Sequence, residues 1–151
     1  SASSFSGDFI HSTGFEVSSL ADDPSNIVFW GLSNELEMIS DHTSNYLVLQ
    51  ANQDSGLTIN VIERFLGFTY TTSSTYAYAV DTPYYLIIER NGVTLTVKVY
   101  SKKRRWDEDL LETITHITVS FAVTFNYLWA LNGIRTGVLA LSGRVFHYMT
   151  S

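Results

Sequence analysis

The chain has 151 residues, a formal net charge of −6, 45% hydrophobic and 16% charged residues, and no cysteine. That length and apolar content suit one domain with a real core and exclude disorder, which needs low hydrophobicity and high charge. The missing cysteine excludes disulfides, thiolate metal sites and a thiol nucleophile.

The charge fraction falls below the ~25% usual for soluble domains, so part of the surface is expected to lie against other copies or partners. Charge is also unevenly placed. No Lys or Arg precedes Arg64, while Asp8, Glu16, Asp22, Asp23, Glu35, Glu37, Asp41, Asp54 and Glu63 all lie before it. Such a chain offers no field for phosphate backbones, and no nucleic-acid partner is expected. No apolar run approaches the ~20 residues of a helical membrane span, so no membrane insertion is expected. The chain opens on Ser1, which points to a processed product or a domain of a longer one.

Period-two alternation dominates the pattern. Residues 9–17 place Phe9, His11, Thr13, Phe15 and Val17 on one face. Residues 27–32 are apolar on both faces, as a central strand requires. Residues 46–51 and 57–62 follow, separated by a turn-rich spacer from Asn52 to Gly56. Residues 76–80 alternate Tyr76, Tyr78 and Val80 with alanines. Residues 84–90 and 93–100 flank Asn91-Gly92, a hairpin signal for a type I′ turn. Residues 107–117 open with acids, as a helix would, but their β-branched Thr and Ile favour a strand over 110–119. The aromatic strand 124–131, with Phe125, Tyr127 and Trp129, reads as core, and 138–148 forms a last long strand. Short strands separated by turn signals predict an all-β sandwich or closed barrel in a single domain spanning 1–151.

Several segments carry a family resemblance. They are Phe5–Phe9 (FSGDF), Phe29–Asn34 (FWGLSN), Tyr84–Tyr100 (YYLIIERNGVTLTVKVY), Phe125–Asn132 (FNYLWALN) and Leu141–Val145 (LSGRV). Together they resemble laminin-G-like, concanavalin A-like jelly-roll domains of phage virion proteins, tail fibres and secreted surface proteins. The resemblance implies two stacked antiparallel sheets and carries no catalytic signature. Relatives of this kind have one or two strands ahead of the first segment, and here only Ser1–Ser4 precede it. An edge strand supplied by an upstream segment or a neighbouring chain is therefore expected.

Candidate chemistry is sparse. Glu35 and Glu37 would share a face of a strand, the spacing a glycosidase pair needs. They lie instead between two turn-like stretches, and the acid triad that glycosidases of this fold carry on one strand does not appear. Asp22 and Asp23, or Asp41 and Asn45, offer oxygen ligands to calcium, and equally form ordinary turns. Calcium is the one cofactor left open. His11, His42, His116 and His147 show no metal-ligand spacing. Lys102-Lys103-Arg104-Arg105 is followed at once by Trp106 and Asp107-Glu108-Asp109, which predicts a loop paired within itself. Trp106, with Arg104 and Arg105, is the expected contact for a sugar or protein partner. Tyr76 and Tyr78 join it, because tyrosine adds contact area at low entropy cost.

The expectation is a non-enzymatic structural or assembly module on a virion or extracellular surface, packed against itself or other surface proteins. A lectin-like, glycan-binding adhesion module is the alternative, and glycoside hydrolysis a remote third.

Overall fold

The structure, a computed structural model, describes residues 7–17, 27–35, 45–52, 57–72, 74–119, 124–129, 132–133 and 143–148. Asp22, Asp23, Glu37, Asp41 and His42 fall outside the described residues.

The alternation read from the sequence becomes two antiparallel sheets. In chain order the strands are β1 (Phe9–Val17), β2 (Ile27–Ser33), β3 (Tyr46–Asn52), β4 (Thr58–Phe65), β5 (Phe68–Thr71) and β6 (Tyr76–Ala77). They continue with β7 (Tyr84–Asn91), β8 (Thr94–Tyr100), β9 (Leu110–Ile117), β10 (Tyr127–Trp129), β11 (Asn132–Gly133) and β12 (Gly143–Tyr148). The first sheet has the order β12-β1-β7-β8-β9. The second has the order β10-β2-β3-β4-β5, with β11 also on β2 and β6 on β4. The fold is an all-β, two-sheet jelly-roll sandwich in a single domain.

Each inner strand face is the predicted apolar set. Phe15 and Val17 of β1 and Leu86 and Ile88 of β7 meet Trp30 and Leu32 of β2 and Leu47 and Leu49 of β3 in one core. Strand β2 is buried on both faces, and a bulge between Val28 and Trp30 lets the consecutive Phe29 and Trp30 both join the core while Val28 faces outward. There Val28 packs with Tyr46, Val48 and Ile62 on the outer face of the second sheet. Burial raises the Tyr46 pKa, against the lowering effect of Arg64, its cross-strand partner.

The β7–β8 hairpin forms as expected, but its turn lies one residue further on. Asn91 pairs with Thr94, so Gly92 and Val93 make the turn, and Gly92 takes φ 58°. Distant groups favour this register. Asp8 Oδ1 accepts from Gly92 N at 2.7 Å, and Val93 O accepts from Thr118 Oγ1 at 2.9 Å. A second hairpin, β4–β5, went unread. Its turn is Leu66-Gly67, with φ 49° and 85°, and Asn45 Oδ1 accepts from Leu66 N at 2.9 Å.

Strand β1 is an inner strand, with β7 and β12 as its neighbours. Among the described residues β12 is the last strand on that side of the first sheet.

Candidate functional site

The connection from β8 to β9 is built around one carboxylate. Asp109 is 4% exposed, and its Oδ2 accepts from Arg104 Nε at 2.6 Å while Lys102 Nζ lies 3.1 Å from Oδ1. Arg104 Nη2 also donates to Glu108 Oε1 at 2.8 Å. The backbone closes the same loop. Ser101 N donates to Asp109 O at 2.9 Å, Asp109 N to Trp106 O at 2.9 Å, and Arg105 N to Lys102 O at 3.1 Å. Arg105 takes φ 53° to let the chain reverse, and residues Asp107–Asp109 form a single 3-10 turn.

This scaffold presents an indole. Trp106 is 57% exposed, and the Arg104 guanidinium carbon sits 4.2 Å from the ring centroid. A cation over a tryptophan face is attracted by the ring quadrupole. Because Arg104 is itself tied to Asp109 and Glu108, the ring is held by a braced neighbour. The basic and acidic runs thus pair internally and leave the aromatic group outside.

Hydrogen bonding from Arg104 holds the Asp109 carboxyl below its ordinary pKa, with burial opposing and Lys102 adding to the effect. A carboxyl with a lowered folded-state pKa lends stability above its ordinary value and loses it as pH falls through the lowered one. The emission difference between wild type and Trp106→Phe is therefore expected to hold steady at neutral pH and to change only below about pH 4. Asp109→Asn should give the acid-form emission already at neutral pH. Unchanged emission in Asp109→Asn would show that other contacts hold the loop.

The other expected contact residues separate. Tyr78 is 4% exposed and packs edge-on against Phe15 at 5.7 Å, so it is a core residue and not a contact. Tyr76 is half-buried against Tyr84, at 5.6 Å between ring centroids, and burial raises its pKa. The structure brings Arg104, Arg105 and Trp106 together and leaves both tyrosines out of that group. Asn45 serves the turns: its backbone N donates to Asn34 Oδ1 at 2.9 Å, and its side-chain Oδ1 accepts from Leu66 N at 2.9 Å. Among the described residues no group of three or more His, Asp or Glu could hold a metal. Among them, too, no helix is long and apolar enough to cross a membrane. Glu35 lies exposed just past β2.

One polar cluster escaped the sequence reading. Glu63 on β4 is buried, with Oε2 3.0 Å from His116 Nε2 on β9 and 3.0 Å from its donor Val119 N. Arg90 on β7 is buried in the same interior, where its Nε donates to Gly92 O at 3.2 Å. Burial lowers the Arg90 pKa, and the charges of Glu63 and Asp8 oppose that shift. The signal was present in the strand phase. Glu63 follows Ile59 and Val61, Arg90 follows Leu86 and Ile88, and His116 follows Ile114, each in step with the core set. At the same end of β1, where Phe9 pairs with Arg90, Trp30 Nε1 donates to His11 Nδ1 at 3.3 Å, and His11 stacks on Phe9 at 4.8 Å.

No protein-family model and no curated protein matches the chain. Solved structures do. A GH43 protein from Bacillus licheniformis superposes with a TM-score of 0.59 and 17% identity over 92% of this chain. The chain spans only 28% of that protein's length. The carbohydrate-binding module CBM66 from Bacillus subtilis gives 0.48 and 13%, over 97% of this chain and 74% of the module. The CBM2 module of the evolved Dit of Lactobacillus casei BL23 phage J-1 gives 0.49 and 13%, over 96% of this chain and 64% of that one. The GH43 superposition shows a shared fold and no more. The resemblance read from the sequence holds at that level, and none of these three is a laminin-G domain by name.

Proposed function

We propose that this chain is a non-enzymatic binding module of a virion or extracellular surface, and that it takes carbohydrate at the Trp106 loop. The observation that carries this reading is the indole itself, 57% exposed on a loop braced by Arg104 and Asp109. An aromatic face left in water on an ordered loop suits the apolar C–H face of a sugar ring. Ordering the platform beforehand removes the entropy cost of fixing it on binding. Arg104, Glu108 and Lys102 around it supply donors and acceptors for hydroxyl groups. The buried carboxylates, Glu63 and Asp109, are both committed to internal partners, which favours binding over hydrolysis.

The test is a glycan array with the intact chain, with and without calcium, followed by calorimetry on any glycan retained. Trp106→Ala is expected to weaken binding at least roughly tenfold, about 1.4 kcal/mol, with the circular dichroism spectrum unchanged. A glycan bound equally well by Trp106→Ala would move the site elsewhere. Binding that needs calcium would bring the Asp22, Asp23 and Asp41, Asn45 segments into the site.

A further inference from the structure

Two long stretches of the sequence carry no Asp, Glu, Lys or Arg: residues 65–80, between Arg64 and Asp81, and residues 113–134, between Glu112 and Arg135. The topology brings residues 65–72 of the first and 113–119 of the second to one side of the sandwich, while β10 and β11 lie on β2, toward the opposite edge. Strand β5 is the edge of the second sheet and β9 the edge of the first. Thr72 Oγ1, just after β5, donates to Thr115 O of β9 at 3.2 Å. On a chain of net charge −6, residues 65–72 and 113–119 form a strip without formal charge.

The strip is also apolar and open. All four residues of β5 are exposed. Leu66 is 72% and Phe68 68% exposed, with Tyr70, Ile117 and Val119 exposed beside them. Leu66 takes φ 49° in a turn that favours Asn or Gly. A strained leucine pointing into water gains nothing within one copy of the chain. Backbone strain of this sort leads from geometry to function, since the surroundings must hold it in place. Here Asn45 does so, through its bond to Leu66 N.

Main-chain groups complete the edge. Thr72 N donates to Val61 O on β4 at 3.1 Å. By the alternation of an antiparallel ladder, the N–H groups of Thr69 and Thr71 then point away from β4. Among the described residues no strand pairs with β5 on that side, and such a strand edge is a template for another strand.

We infer that the β5 edge is a self-association surface whose occupant is the β5 edge of a second copy, paired antiparallel about a two-fold axis at Tyr70. Thr69 of each copy then lies opposite Thr71 of the other, and each pair exchanges two main-chain hydrogen bonds. Leu66 and Phe68 of the two copies become covered at either end. Charge selects the occupant. Two acidic chains repel over most approaches, and this strip lets them meet without setting like charges together. A two-fold contact uses the same patch on both copies, so one uncharged strip is sufficient. The inference is independent of the Trp106 reading, because it uses another part of the surface.

Sedimentation velocity of the intact chain over a wide concentration range tests it. The wild type is expected to form a dimer. Phe68→Glu and Thr69→Pro are each expected to weaken that dimer at least roughly tenfold. Proline at position 69 removes only an outward N–H and is tolerated on an edge strand. Ile10→Glu, an added charge at an exposed position of β1, should leave the dimer unchanged. A wild type that stays monomeric into the millimolar range overturns the inference. So does a dimer insensitive to Phe68→Glu, or one weakened as much by Ile10→Glu. Trp106→Ala should leave association intact and the β5 variants should leave glycan binding intact, which separates this inference from the proposed function.

Discussion

Glu63→Ala is expected to destabilise the fold by about 3–4 kcal/mol, measured by urea denaturation. The carboxylate joins the two sheets through the interior: Oε2 faces His116 Nε2 at 3.0 Å, and Val119 N donates to it at 3.0 Å. Removing it leaves both of those groups without their acceptor. It also leaves the buried Arg90 guanidinium, whose Nη1 and Nη2 have no hydrogen-bond partner among the described residues, without one of the two carboxylates, Glu63 and Asp8, that balance its charge there. An uncompensated charge in a low-dielectric interior is the costly part of breaking such a cluster. Glu63→Gln keeps an acceptor and the shape, so it should cost less than the alanine variant. Replacing both charged groups, as Glu63→Leu with Arg90→Met, should recover most of the loss, because the desolvation of each disappears together with its partner. A loss under about 1 kcal/mol for Glu63→Ala would mean that water reaches these groups and screens them.

Phe15→Ala should cost about 3–5 kcal/mol, the range for deleting a large aromatic ring from a packed core. Phe15 is buried on β1 and stacks on Phe29 of the second sheet at 4.6 Å and on Tyr84 of β7 at 5.5 Å. Tyr78 meets its edge at 5.7 Å. One ring therefore closes the end of the sandwich by touching both sheets and the segment that joins them. Deleting it removes the transfer free energy of the ring and opens a cavity whose aromatic walls cannot collapse without moving two strands. Phe15→Leu refills much of the volume and should lose less than half as much. The two variants are distinguished by thermal unfolding and by near-ultraviolet circular dichroism, which should lose most of its aromatic signal in Phe15→Ala. Since a folded domain has only about 5–15 kcal/mol in hand, Phe15→Ala combined with Glu63→Ala should not stay folded.

The candidate loop was partly legible. Basic and acidic runs next to each other imply internal pairing, and an indole between them implies exposure. Which acid would be the hub was not legible, because Asp107, Glu108 and Asp109 are equivalent by composition. Only the 3-10 turn buries Asp109 between Lys102 and Arg104 and leaves the other two outside. The burial of Tyr78 was not legible for a related reason. Alternation over 76–80 gives a strand, but pairing to β4 stops at Ala77, and Asp81 N then bonds Val17 O at 2.7 Å, carrying Tyr78 into the core.

By itself the sequence determined the class of fold and the strands with strong period-two patterns, β1, β7 and β8 above all. Burial of one strand face requires that pattern, and each strand carries it locally. It also determined that Trp106 would stand out, since nothing apolar accompanies it in its loop. The tertiary structure alone decided what depends on residues far apart in the chain. The β7–β8 turn moved by one residue because Asp8 and Thr118 capture its backbone groups. Strand β5 formed behind a Leu-Gly turn that Asn45 braces from across the sheet. Glu63, Arg90 and His116 came together because stacking two sheets superposes positions that no local pattern connects.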